Sequence, residues 1–203
     1  MEIWIVRHGE TDWNLDQRVQ GWSDIPLNAT GMNQAEQLAQ QLQDIRFDRI
    51  YSSDLGRAMS TAARIARGRD ATVIPDIRLR ERRKGEAEGV VFDDIPERFP
   101  DGIAGEESDA ELEERLFAAL HDIGACQTQA ERVLCVSHGG SIRKIAEALG
   151  RKDLPYIHNG SITRLASSQD GWTILGINET CQEAIQNAQQ SRSACRQGGD
   201  TLL

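Results

Sequence analysis

Short apolar runs alternate with longer amphipathic stretches along most of this 203-residue chain. The apolar runs end at glycine, proline or polar turn residues, as buried strands do. The stretches between them repeat apolar residues every three or four positions, which is the spacing of an amphipathic helix. Strands that alternate with helices favour a parallel sheet covered by helices. We therefore expect an α/β fold, a three-layer sandwich with a mostly parallel central sheet flanked by helices.

The pattern assigns these elements to segments. Strands are expected at residues 3–6, 49–51, 72–74, 133–136, 161–165 and 172–177, the last two joined by a hairpin-type Ser-Gln-Asp-Gly connection. Helical apolar stripes cover residues 35–42, 55–66, 112–123 and 142–149. Thr30 and Asp54 are candidate N-caps of the first two helices. Residues 78–106 are charged and interrupted by glycine and proline, which predicts mostly loop with a short helix at most.

The length suits one domain with one sizeable core. We expect a single domain over residues 1–180, with a small lid within residues 85–110. Residues 181–203 are a polar, glutamine-rich tail. This tail is expected to begin as a helix, either as part of the same domain or partly disordered.

The charge and composition exclude several classes of protein. The formal net charge of −9 argues against nucleic acid as a partner, because a phosphate backbone repels an acidic surface. No apolar run is long enough to cross a membrane, and the N-terminal residues indicate a strand rather than a signal peptide, so we expect a cytoplasmic protein. None of the four cysteines lies in a C-x-x-C pair, and we expect neither a metal site nor a cofactor.

Three predicted strands end in residues that can carry chemistry. Arg7-His8-Gly9 follows the first strand, Arg57 lies in the first turn of the helix after the second strand, and His138-Gly139 follows the fourth apolar run. In a parallel sheet, ligands bind at the carboxyl ends of the strands. A glycine turn that leads into a helix presents free backbone N–H groups to an anion. The pattern therefore predicts an anion site that contains two histidines and two arginines.

These residue types suit phosphoryl transfer, which needs a nucleophile, positive charge around the phosphate oxygens and a proton donor. Neutral imidazole is a competent nucleophile near pH 7, and arginine grips phosphate in bidentate fashion. The proton donor is assigned to Glu81, because a neighbouring phosphate dianion favours the protonated carboxyl. Glu107 is the reserve candidate.

The motifs together resemble the histidine phosphatase superfamily, which is also called phosphoglycerate-mutase-like. The resemblance covers nearly the whole chain and rests on several stretches, namely Arg7-His8-Gly9, the loop from Trp13 to Leu27, Tyr51 to Ala58, Leu79-Arg80-Glu81, Gly85 to Gly89, Val136 to Gly139, Asn159-Gly160-Ser161 and Asn178-Glu179-Thr180. Two departures are Ala87, where a larger residue is common, and an extra glutamate in Gly105-Glu106-Glu107-Ser108.

The resemblance implies that His8 is the residue that becomes phosphorylated. Arg7, Arg57 and His138 would form the phosphate pocket, and Glu81 would donate the proton. It also places three residues, Asn14, Gln20 and Gly139, against the substrate, and it implies no metal.

Three functions remain open at this point. We favour a phosphatase that acts on a small phosphorylated metabolite, because the segment between Glu81 and His138 is short and a small lid admits water. A phosphoglycerate mutase is the alternative, and a non-catalytic module that binds phosphorylated ligands is the third. The oligomeric state stays open, with a homodimer as one option. The basic run from Arg78 to Lys84 is interpreted as a solvated face that pairs with the acidic stretch 93–114, or else as a contact for a second anionic group on the substrate.

Overall fold

The structure is a computed structural model that describes residues 1–125, 132–168 and 171–197, with side chains as far as residue 191. Its strands are β1 (Glu2–Arg7), β2 (Arg49–Ser52), β3 (Val73–Pro75), β4 (Arg132–Ser137), β5 (Ile162–Ser168) and β6 (Gly171–Glu179). Its α-helices are α1 (Asp12–Leu15), α2 (Ala29–Leu42), α3 (Gly56–Ala66), α4 (Ile95–Arg98), α5 (Asp109–Ala125), α6 (Gly139–Ala148) and α7 (Cys181–Gln197).

The strands form one six-stranded sheet in the order β3-β2-β4-β1-β5-β6. The pairs β2–β3, β2–β4 and β1–β4 are parallel, whereas β5 runs antiparallel to both of its neighbours. The sheet is therefore mostly parallel, which confirms the predicted α/β class. The parallel strands β1, β2 and β4 end at the same edge, and this edge carries the predicted functional residues.

Side chains alternate between the two faces of the sheet along β1, as the pleat requires. Ile3 and Ile5 pack with residues of α5 and α6 in one core, whereas Trp4 and Val6 pack with residues of α2, α3 and α7 in a second core. Helices thus cover both faces of the sheet, and the three-layer arrangement is confirmed.

Both predicted N-caps are wrong. Helix α2 begins one residue before Thr30, and its cap is Asn28, whose side chain accepts from the Gly31 N–H at 2.8 Å. Helix α3 begins at Gly56, and the Asp54 carboxylate is instead bound by both arms of Arg80 at 2.6 Å. In helix α3 a residue distant in sequence takes the place of the local cap, since the Gly56 N–H donates to the Asp24 carboxylate at 2.7 Å.

Residues 78–106 are mostly loop, as the sequence predicts. They contain only short helical pieces, namely α4 and the 3-10 turns Ile77–Leu79, Gly85–Ala87 and Phe92–Asp94. Two isolated β-bridges hold this segment in place. One pairs Val91 with Arg18 in the loop after α1, and the other pairs Lys84 with Glu106 within the segment.

The C-terminal helix α7 packs on the sheet. Cys181, Ala184 and Ala188 are buried in the second core, so the first part of the expected tail belongs to the packed fold. The predicted Gln169-Asp170 connection between β5 and β6 and the tail residues 198–203 lie outside the described residues. None of the described helices is both long and apolar enough to span a bilayer.

Candidate active site

The ends of β1, β2 and β4 bring the two predicted histidines together. His8 follows β1, and its N–H donates to the carbonyl of Ser137 at 3.0 Å, which ties it to the end of β4. His138 follows β4, and the two imidazole rings meet edge to face with centroids 5.0 Å apart. Both rings are buried, with exposed fractions of 3% and 0%.

The hydrogen bond of His8 defines its tautomer. Nδ1 lies 2.7 Å from the carbonyl oxygen of Gly9, and a carbonyl can only accept, so Nδ1 carries the proton. Burial, helped by the positive charges of Arg57 and Arg7, holds the pKa of His8 well below its usual value of 6.5. The ring is therefore neutral near pH 7, and Nε2 is left as the unprotonated, nucleophilic nitrogen.

His138 is held differently. Its Nε2 lies 2.8 Å from the hydroxyl of Ser53, and its buried Nδ1 has no hydrogen-bond partner in the described part of the chain. Burial and the charge of Arg57 are the main causes that lower its pKa well below 6.5. A buried nitrogen without a partner is costly, so this nitrogen is available to a bound ligand.

Two buried arginines lie beside His8, and each has a donor without a partner among the described residues. Arg57 is fully buried and donates to the carbonyls of Ser23 and Gly21 at 2.8 Å. Arg7 donates to the carbonyl of Ile157. The Nε atoms of both guanidinium groups are buried without a hydrogen-bond partner among the described residues. Burial lowers the pKa of Arg57 to about 10, so its positive charge is retained at neutral pH.

The amide side chains of Asn14 and Gln20 are oriented by Thr11, a residue that the sequence analysis did not single out. The buried Thr11 hydroxyl lies 3.2 Å from Asn14 Oδ1 and 3.0 Å from Gln20 Oε1. Asn159 also donates to Asn14 Oδ1 at 3.2 Å. Because these contacts occupy the oxygens, the NH2 ends of both amides are the groups available to an anion.

The two candidate acids have different surroundings. Glu81 lines the cavity, and its carboxylate accepts from the N–H of Gly140 at 2.9 Å and of Arg82 at 2.8 Å. Glu107 is buried away from the cavity lining, and both of its oxygens are bound by Arg115. The geometry therefore favours Glu81 over the reserve candidate.

A cavity of about 780 Å³ joins these residues. Seven of the eight predicted site residues line it, namely Arg7, His8, Asn14, Gln20, Arg57, Glu81 and Gly139, and the eighth, His138, is in contact with His8. Within the described residues the lining also holds Arg18, Arg82, Lys84, Arg143 and Lys144, but only Glu81 and Glu147 as carboxylates. Most of these cations also pair with carboxylates, whereas no ion pair of Arg7 or Arg57 is present among the described residues, so the charge of these two arginines favours an anionic ligand in a chain of net charge −9.

The basic run 78–84 is largely paired with carboxylates. Arg82 contacts Asp109 and Lys84 contacts Glu106, both within the acidic stretch named above, and Arg78 and Arg80 pair with aspartates outside it. Arg82 and Lys84 nevertheless also line the cavity. Among residues 1–125, 132–168 and 171–197, no cluster of three or more histidine, cysteine or carboxylate side chains could hold a metal ion.

The sequence is similar to that of a known protein family. The family model of the histidine phosphatase superfamily (branch 1) matches residues 3–180. The chain therefore belongs to the histidine phosphatase superfamily.

Individual relatives are named as phosphatases and as probable mutases. The chain is 34% identical over 182 residues to an uncharacterized phosphatase, PhoE, of Bacillus subtilis, which covers 87% of this chain and 93% of that protein. It is 39% identical to a probable phosphoglycerate mutase, GpmB, of Escherichia coli, over 87% of this chain and 89% of that protein. A mycobacterial glucosyl-3-phosphoglycerate phosphatase superposes with a TM-score of 0.81 at 27% identity, covering 88% of this chain and 99% of that chain.

Proposed function

We propose that this protein is a phosphatase that hydrolyses a small phosphate monoester through a phosphohistidine intermediate on His8. One observation carries the proposal. A neutral imidazole with a free Nε2 lies beside two buried donors, Arg7 Nε and Arg57 Nε, and a buried ring nitrogen, His138 Nδ1, all three without partners in the described structure. A phosphoryl group is the ligand that satisfies such donors and accepts such a nucleophile.

In the first step, His8 Nε2 attacks phosphorus, and the bond between phosphorus and the ester oxygen breaks. The two arginines and His138 hold the phosphoryl oxygens as charge develops on them. Glu81 gives its proton to the departing oxygen, so that an alcohol leaves instead of an alkoxide. The bound dianion also offsets the positive field of Arg7 and Arg57, which favours the protonated, donating form of His138.

In the second step, water attacks the phosphohistidine and the bond between nitrogen and phosphorus breaks. The Glu81 carboxylate, which lost its proton in the first step, takes one from the attacking water. Inorganic phosphate leaves, and His8 returns to its neutral form with Nδ1 still bound to the Gly9 carbonyl.

A mutase is the second candidate, because relatives at similar identity are named as probable phosphoglycerate mutases. A mutase must return the phosphoryl group to an organic acceptor before water reaches it. The segment between Glu81 and helix α5 contains only short helical pieces, and a lid this small should admit water. We therefore favour hydrolysis. Small phosphorylated substrates, as in the glucosyl-3-phosphoglycerate phosphatase, suit a cavity of about 780 Å³.

The experiment is a screen of phosphorylated metabolites for release of inorganic phosphate, repeated on variants. We expect His8→Ala to abolish turnover and His121→Ala, an exposed histidine matched in chemistry, to leave it unchanged. Adding glycerate as an acceptor should not divert the phosphoryl group from water. Preferential transfer to glycerate would favour the mutase, and full activity of His8→Ala would overturn both proposals.

A further inference from the structure

Arg115 and Glu107 form a mostly buried ion pair beside the active site. Arg115 Nε donates to Glu107 Oε1 at 2.6 Å, and Arg115 Nη2 donates to Oε2 at 2.8 Å. The exposed fractions of the two side chains are 16% and 8%. Neither residue lines the cavity, so neither is in a position to touch the substrate.

The remaining donors of Arg115 all go to the loop that carries Glu81. Nη1 donates to the carbonyls of Arg78 and Arg80 at 2.7 and 2.8 Å, and Nη2 donates to the carbonyl of Glu81 itself at 2.9 Å. Glu107 fixes the other side of the same loop, because its N–H donates to the Arg83 carbonyl at 2.9 Å. The guanidinium group of Arg115 therefore binds three backbone carbonyls of the loop that carries Glu81, the candidate acid.

A buried ion pair is a poor means of gaining stability, because desolvation offsets much of the attraction. It is a good means of fixing geometry, because the planar fork of arginine holds several acceptors at set angles. A general acid must lie within hydrogen-bond reach of the oxygen it protonates. Glu81 lies on irregular backbone between two short 3-10 turns, so its position depends on contacts from other segments. The carboxyl itself is held by only two backbone N–H groups among the described residues.

We infer that Arg115, oriented by Glu107, is the positioning residue that keeps Glu81 in reach of the leaving oxygen. This inference rests on the proposed function, since it assigns Glu81 the proton transfer. It gives Glu107 a role other than that of reserve acid. The role serves both proton transfers of Glu81, and the first of them, in which the bond from phosphorus to Nε2 forms and the bond to the ester oxygen breaks, is the one that can be measured separately.

Substrates whose leaving groups differ in acidity distinguish a misplaced Glu81 from a general loss of activity. An alkyl phosphate such as glycerol phosphate needs the proton, because an alkoxide is a poor leaving group. p-Nitrophenyl phosphate needs little help, because its phenolate is stable. The ratio of kcat/KM for the two substrates therefore reports how well Glu81 is placed, since kcat/KM covers the steps through the first phosphoryl transfer.

The test compares Arg115→Lys with Arg69→Lys. Arg69 is a matched control, because its guanidinium also donates to three backbone carbonyls, those of Ile65, Ile45 and Leu42. We expect Arg115→Lys to lower kcat/KM for glycerol phosphate by about tenfold or more and for p-nitrophenyl phosphate by less than about threefold. We expect Arg69→Lys to leave the ratio unchanged. Glu107→Gln, which keeps the shape of the pair, should shift the ratio in the same direction and serves if Arg115→Lys does not fold.

A further comparison uses Glu81→Gln as the background. Adding Arg115→Lys to it should produce no further change in the ratio, because the acid is already absent. An equal loss on both substrates, or an added loss in the Glu81→Gln background, would overturn the positioning role. Failure of the proposed function has a different signature, because His8→Ala would then retain turnover whatever the ratio shows.

Discussion

The N–H of Gly140 donates to the Glu81 carboxylate across 2.9 Å, and this bond joins the start of helix α6 to the loop that carries Glu81. A side chain at residue 140 would break it, because an added Cβ would lie 2.4 Å from Glu81 Oε1. We expect Gly140→Ala to lower kcat/KM for alkyl phosphates by about 10- to 100-fold, since the carboxyl must move away. Steady-state kinetics on glycerol phosphate measures this.

Gly124→Ala is the matched control for that substitution, because Gly124 also lies in a helix. Its added Cβ would lie 3.5 Å from Trp172, an ordinary contact distance. Replacing a helical glycine by alanine stabilises a protein by up to about 1 kcal/mol, so this variant should be active and slightly more stable. Normal kinetics for Gly140→Ala would show that the bond to Glu81 has no part in catalysis.

The buried histidines predict how stability depends on pH. Well above pH 6.5 both histidines are neutral in the folded and the unfolded chain, so they contribute no pH dependence there. Below pH 6.5 the unfolded chain takes up protons that the folded chain resists. The free energy of unfolding should therefore fall as pH falls from 6.5 toward the lowered folded pKa values, by at most about 1.4 kcal/mol per pH unit for each histidine.

Urea unfolding at pH 7.5 and 5.5 in phosphate-free buffer measures this effect. His8→Gln and His138→Gln should each flatten the dependence, whereas His121→Gln, at an exposed position, should not. Inorganic phosphate should reduce the loss at pH 5.5, because its charge offsets the arginines and favours protonated histidine. A loss of the same size in wild type and in both buried-site variants would show that other groups are responsible.

Thr11 is predicted to orient the Gln20 amide that faces the cavity. Thr11→Val removes the hydroxyl that contacts Gln20 Oε1, so the Gln20 amide can turn its oxygen toward the anion. Asn14 Oδ1 keeps its bonds from Asn159 and from the backbone N–H of residue 11. We expect kcat/KM to fall by about tenfold, with a stability loss of about 1 kcal/mol from the lost N-cap of α1. Asn28→Ala loses the N-cap of α2 in the same way and should retain activity. Equal activity of the two variants would rule out the orienting role.

The ion pair of Arg164 and Glu179 is predicted to anchor the second core. The two side chains lie 2.7 Å apart with 2% and 10% exposed, and Asn187 of α7 also donates to Glu179. Glu179→Leu should lower the free energy of unfolding by about 3–5 kcal/mol, because a buried guanidinium is left without its partner. Arg164→Met combined with Glu179→Leu should recover most of the loss.

The exposed pair of Arg67 and Glu36 is the control for this measurement, and its removal should cost less than about 1 kcal/mol. Urea unfolding at pH 7.5 follows all three variants. Similar costs for the buried and the exposed pair would contradict the anchoring role.

The sequence predicted the parts of this fold that local pattern controls. Buried strands such as residues 133–136 are nearly continuous apolar runs, and the helix stripes follow the 3.6-residue period, so the sequence alone predicts both. His8 and His138 could be placed together because parallel strands end at one edge of a sheet.

The parts that could not be predicted depend on contacts between distant segments. The prediction that Asp54 caps helix α3 is wrong because the partner of its carboxylate, Arg80, is 26 residues away in the sequence. The contacts of Arg115 could not be predicted because its carbonyl acceptors lie 34 to 37 residues away. One signal was present for Arg115. Its position within the apolar stripe of Leu112 and Leu116 placed a charge on the buried side of helix α5, where an arginine needs a partner.

The most direct measurement is the 31P NMR spectrum of the intermediate, obtained after rapid quenching in alkali, with the modified residue identified by mass spectrometry. We predict one phosphorylated residue, His8, carrying the phosphoryl group on Nε2, because Nδ1 is held by the Gly9 carbonyl at 2.7 Å. The signal should be absent from His8→Ala and present in His121→Ala. A phosphoryl group on Nδ1, on His138, or on no residue during turnover would contradict the proposal.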